Sequence, residues 1–156
     1  MNTLRTPTQI FILIAGLFHI ALGVSGLIGP WVDGAGAGGQ GELFGFFAVN
    51  GWLDVLNLVG GGILVIASMT IPAAVWASRV YAVAFAALAI WGIAEIGLTG
   101  SEDTVLGNWL YVNVVANWTY AALAVLYAVF GFIPQMWHRD VVTGENRGRI
   151  GGHAYR

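Results

Sequence analysis

Four long apolar runs, Gln9–Ile28, Leu43–Met69, Ala74–Leu98 and Leu106–Phe132, take up most of the 156 residues. Each is long enough for the about 20 residues that a spanning helix needs. Only 9% of the chain is charged, against roughly 25% in a soluble domain, so too few charged side chains remain to cover a water-facing shell. The stretches between the runs, "GPWVDGAGAGGQGE", "SMTIP" and "TGSEDTVLGN", read as turns or helix ends. No water is available in a bilayer core, so the runs are expected to be helical, with every backbone group paired internally. The expected fold is an all-α membrane protein, four transmembrane helices in a bundle over residues 1–136. The core of the first run is too long for a usual signal-peptide h-region, so it is read as a spanning helix rather than a cleaved leader.

The six arginines set the expected orientation. Arg5, Arg79, Arg139, Arg147, Arg149 and Arg156 fall before the first run, between the second and third, or after the fourth. The other two loops hold Asp33, Glu42, Glu102 and Asp103 and no basic residue. The positive-inside rule then places both termini in the cytoplasm. Trp31, Trp109 and Trp137, near run ends, fit interfacial anchors. Residues 137–156 form a basic, Gly-rich cytoplasmic tail suited to anionic headgroups or to a neighbouring subunit.

Several classes of function are excluded. Cysteine is absent, so there are no disulfides and no thiolate metal sites. A net charge of −2 without a single lysine argues against nucleic acid as a partner. No P-loop, G-x-S-x-G or H-E-x-x-H motif is present, and no catalytic residue is assigned.

The informative residues are the polar ones inside the apolar runs. In "VNGWLDVLN", Asn50, Asp54 and Asn57 are spaced by four and then three, which puts them on one helix face. A carboxylate at mid-bilayer costs about 2.5–3.5 kcal/mol on insertion scales, so this face should look into the protein. "FAVNGWLDVLNLVGG" aligns with "LYVNVVANWTYAALA" on Val-Asn, pairing Asn50 with Asn113, Asp54 with Asn117 and Asn57 with Tyr120. The chain thus reads as a doubled helical hairpin, its halves related by an axis along the membrane normal. The first run carries Gly16, His19, Gly23 and Gly26, a small-residue groove holding one imidazole. The third carries Leu88, Gly92 and Glu95, and the fourth Asn113, Asn117, Tyr120, Ala124 and Tyr127.

These residues resemble a known family. "LFGFFAVNGWLDVLNLVGGGI" and the "FHIALGVSGLIGP" of the first run are similar to a four-helix bacterial membrane family, common in actinobacteria and of unknown function. Its second helix typically reads Val-Asn-Gly-Trp-His-Asn-Leu-Val-His, and its fourth Val-Asn-x-x-Asp-Asn-x-x-His. The resemblance spans residues 10 to about 132 and implies a four-helix plasma-membrane fold without implying an activity. The chain departs from the pattern at Leu53, Asn57 and Tyr120 (histidine in the family), at Asp54 (asparagine) and at Ala116 (aspartate). Any metal or haem bound through those histidines would lack its ligands here. A looser similarity to DoxX-like four-helix proteins rests on architecture.

The candidate ligand-binding set is therefore Asp54, Asn50, Asn57, His19, Glu95, Asn113, Asn117 and Tyr120, with no metal assigned. Interhelical hydrogen bonding, with Asn113 and Asn117 as partners of Asp54, is the favoured role of these residues. His19, Asp54 and Glu95 would make a three-ligand or proton-relay set if they converged, with Glu95 otherwise reaching the interface. Two functions follow. The first is a non-enzymatic structural or accessory subunit that assembles with itself or with other membrane subunits. The alternative is binding or transport of a cation, a proton or a quinone-like amphipathic molecule through a polar layer centred on Asp54. A redox role for His19 is a weaker third. The cofactor is unknown.

Overall fold

The computed structural model describes residues 6–28, 32–34, 41–100, 104–106 and 110–132. The predicted tail (137–156), the anchors Trp31, Trp109 and Trp137, the loop acids Glu102 and Asp103 and every arginine except Arg79 lie outside these residues.

Four helices form: α1 (Pro7–Ile28), α2 (Gly51–Ala67), α3 (Ile71–Ile96) and α4 (Val114–Phe132). Three of them, α1, α3 and α4, are long and apolar enough to cross a membrane. α1 begins at a capping box: Thr6 Oγ1 accepts from Gln9 N (3.2 Å) while Gln9 Oε1 accepts from Thr6 N (3.0 Å), with Pro7 at the first helical position. α3 starts behind Thr70, whose hydroxyl accepts from Ala73 N.

The expectation that all four apolar runs are helical throughout is corrected for the second and fourth. Strands β2 (Gly41–Leu43) and β3 (Phe47–Val49), preceded by β1 (Val32–Gly34), span the start of the second run and the stretch just before it, and β4 (Thr104–Leu106) and β5 (Leu110–Val112) do the same for the fourth. β1–β2–β3 is an antiparallel sheet and β4–β5 an antiparallel hairpin. Pairing strands satisfies backbone groups internally just as a helix does, so apolar composition alone did not decide between them. Asn50 and Asn113 fix where each helix begins. Asn50 Oδ1 accepts from Leu53 N and Asn113 Oδ1 from Ala116 N, both at 2.9 Å. α2 is left with 17 residues, or about 25 Å of helix.

α1 packs chiefly on α2 and α3 on α4. Small residues make the first contact close: a Cβ added to Gly16 would lie 2.8 Å from Gly61 O, and one added to Gly61 would lie 2.6 Å from Gly16 O. Of Gly60 to Gly62, only Gly61 serves this crossing. Gly60 faces the Tyr81 hydroxyl, and nothing lies within 4 Å of a Cβ built on Gly62. Gly16, His19, Gly23 and Gly26 are all buried, as their spacing predicts.

The predicted doubling extends beyond the polar residues. A step of 63 residues carries β2 onto β4, β3 onto β5 and Asn50 onto Asn113, with the same strand register. Leu43 and Leu106 are buried at equivalent positions, as are Val49 and Val112. A step of 66 carries Gly26 of α1 onto Gly92 of α3. The side chain of Asp54 rests against Gly26 and that of Asn117 against Gly92. Each half is thus a helix pair whose second member is led in by a hairpin, capped by Asn, and seated by a polar side chain on a glycine.

Candidate functional site

The two helix pairs do not close completely on each other. At the sheet end β3 meets β5. Toward the α2–α3 turn, Phe11 of α1 stacks on Phe130 of α4 (centroids 4.2 Å apart) and meets Tyr127 edge-on at 5.1 Å. Between these closures lies a cavity of about 390 Å³, within the size range of small-molecule sites.

Both halves line it from equivalent positions: Phe18 and Ala84, His19 and Phe85, Leu22 and Leu88, Leu53 and Ala116, Asn57 and Tyr120, Gly60 and Leu123. Phe47, Ala48, Val49 and Leu110 cover its sheet end. Val59 and Ile63 of α2 and Val80 of α3 line it while remaining more than half exposed. The cavity therefore opens sideways between α2 and α3, which touch each other little. The apolar wall is interrupted by His19, Asn57, Tyr81, Thr119 and Tyr120.

His19 is held from three sides. Its Nδ1 lies 2.7 Å from Asn57 Oδ1, and its ring stacks on Phe85 (5.5 Å) and lies 6.5 Å from Tyr127. An amide oxygen can only accept, so Nδ1 carries the hydrogen. Nε2 is buried with no hydrogen-bond partner among the described residues. Tyr127, fully buried behind His19, Tyr81 and Phe85, likewise has an unpartnered hydroxyl.

The polar layer predicted around Asp54 is not assembled as expected. Asp54 is buried and turned toward α1, with Oδ1 unpartnered among the described residues. Asn117 is turned toward α3, with both amide atoms unpartnered. Each sits inside its own helix pair, so neither bonds to the other and neither lines the cavity. Asn113 is committed elsewhere: its Nδ2 donates to Glu42 Oε1 (3.1 Å) and Phe46 O (2.9 Å), tying the first sheet to α4. Glu95 is exposed and accepts from Trp91 Nε1 at 3.3 Å. The contemplated His19–Asp54–Glu95 set does not converge, because Asp54 points into the α1–α2 seam and Glu95 out of the protein. No group of three metal-ligating side chains occurs among the described residues.

Of the predicted site residues, the structure gathers His19, Asn57 and Tyr120 at the cavity, while Asn50 serves as a cap. Sequence reasoning missed Tyr81 and Phe85. The one signal for them was the repeat itself, since the 66-residue step that pairs Gly26 with Gly92 also pairs His19 with Phe85. Leu53, Asn57, Ala116 and Tyr120 all line the cavity.

No curated protein and no solved structure matches the chain. The profile described as "Domain of unknown function (DUF4383)" covers residues 9–133, most of the chain, and the protein belongs to that family.

Proposed function

We propose that the protein is a non-enzymatic plasma-membrane binding protein, which takes an amphipathic, lipid-soluble small molecule into the cavity between its two halves. In this reading all four helices cross the bilayer as one bundle, α2 completed by its hairpin, with both termini on the arginine-bearing cytoplasmic side. The observation that carries it is the sideways mouth between α2 and α3. A ligand dissolved in the bilayer reaches such an opening directly, whereas the strands cover the route from the sheet end. The apolar wall suits a hydrocarbon or ring body, and the few polar groups suit one polar function on it. This departs from the layer centred on Asp54, because Asp54 does not reach the cavity.

Native mass spectrometry after extraction from the source membrane in mild detergent tests the proposal. The expected result is a chain carrying a small organic molecule, which Ala84→Trp, filling the cavity from its wall, removes. A bare chain in both cases overturns it.

A second reading is an accessory subunit of a homo- or hetero-oligomer. Gly62 favours it: Val55, Val59, Gly62 and Ile66 share one face of α2, the three large residues are exposed, and the glycine leaves room for another helix backbone. The same spectra distinguish it, as masses that are multiples of the chain or include other proteins, and Gly62→Leu should then abolish them.

A further inference from the structure

The wall of the cavity is apolar, so the polar atoms that face it decide what it selects. Asn57 is the most constrained of them. Its Oδ1 is taken by His19 Nδ1 at 2.7 Å, which fixes the plane of the amide and turns its Nδ2 the other way. That nitrogen has no hydrogen-bond partner in the described structure and is not among the buried unpartnered atoms. Asn57 lines the cavity. The second group is Tyr81 of α3. Its hydroxyl lies over Gly60, 2.7 Å from where a Cβ would stand, and Gly60 is one turn along α2 on the face that carries Asn57. Glycine at 60 is what lets the phenol come this close. Two donors from facing helices thus meet at one side of an apolar cavity: an amide N–H₂ that can only donate and a phenol that donates readily.

We propose that the ligand is a carbonyl compound, a ketone or quinone with an apolar body, whose oxygen accepts hydrogen bonds from Asn57 Nδ2 and the Tyr81 hydroxyl. His19 is a positioning residue: it holds the amide so that nitrogen rather than oxygen meets the ligand. The second half carries Phe85 and Tyr120 at the positions of His19 and Asn57, so the amide donor is present on one side of the cavity only and the ligand binds in one orientation. This inference rests on the binding function proposed above and names the chemical class that the cavity takes.

The test compares 2-tridecanone with tridecane, two chains of equal length that differ in the carbonyl, binding to the full-length protein in detergent micelles by native mass spectrometry. The expected result is a preference for the ketone of about tenfold, the worth of roughly one to two net hydrogen bonds. Asn57→Leu and, separately, Tyr81→Phe should each lower that ratio several-fold without weakening tridecane. His19→Phe should lower it too, and since a merely structural loss would weaken both probes together, the ratio isolates positioning. Equal binding of both probes by the unaltered protein overturns the carbonyl assignment and leaves cavity binding standing. Binding of neither overturns both.

Discussion

The first half of the protein (α1 to α2) and the second (α3 to α4) are built on one plan and diverge in what they place on it. Both use an Asn cap, a hairpin ahead of the second helix, and a polar side chain set against a glycine. The caps and hairpins answer backbone demands, which are the same wherever a strand hands over to a helix. The side chains facing the cavity answer no such demand, and there the halves differ: His19 with Asn57 on one side, Phe85 with Tyr120 on the other. The second half instead spends Ser78 and Arg79 of α3 on the end of α4, joined there by Thr8 of α1. Thr8 Oγ1 donates to Phe130 O, Ser78 Oγ to Tyr127 O and Arg79 Nε to Gly131 O. Phe130 O and Gly131 O are last-turn carbonyls that the helix end leaves unmet, and Tyr127 O takes a second bond beside its intrahelical one. Repetition marks the scaffold, and departure from repetition marks the cavity.

The comparison breaks first at the glycines. Gly26→Leu and Gly92→Leu each drive a side chain into Asp54 or Asn117 and should destabilise by about 3 kcal/mol, the upper end for overpacking, read from denaturant unfolding in detergent. Gly26→Ala should be partly rescued by Asp54→Ala, and Gly92→Ala by Asn117→Ala. A cycle without coupling in either half would show that these contacts do not seat the helices.

The caps come next. Asn50→Ala should cost about 1 kcal/mol. Asn113→Ala should cost about 2 kcal/mol, because it also removes the bonds to Glu42 and Phe46. A loss at Asn113→Ala no larger than that of a cap alone, about 1 kcal/mol, would mean that the tie between the first sheet and α4 is not stabilising. Ser78→Ala should cost about 1 kcal/mol by removing the buried bond from its hydroxyl to the Tyr127 carbonyl.

The smallest effects are expected at the layer the sequence made most conspicuous. Asn117→Leu should be neutral or stabilising by up to about 1 kcal/mol, since it removes two amide atoms that have no partner. Asp54→Asn should likewise fold and should keep the bound small molecule, whereas Ala84→Trp should lose it. Loss of the ligand in Asp54→Asn would return the site to Asp54.

Much of this was legible because it is local. The spacing of Gly16, His19, Gly23 and Gly26 announced a buried stripe, and the Val-Asn pair at Asn50 and Asn113 announced the repeat. The same two asparagines misled as well: a polar residue in an apolar run reads as an interior site, yet both act as caps. Glu95 shared the periodicity of Gly92 and Leu88 but, near the end of α3, it turns outward onto Trp91.

The sequence by itself determined four apolar segments, a doubled plan and the small residues that let helices approach, because composition and period act on each segment alone. Only the tertiary structure decided that the second and fourth runs open as hairpins and that Asp54 and Asn117 face their own helix pairs. It also decided that His19, Asn57 and Tyr81 come together at one side of a cavity. Periodicity reports which face of a helix is buried. Which neighbour that face meets depends on how four helices pack together, and no single segment carries that information.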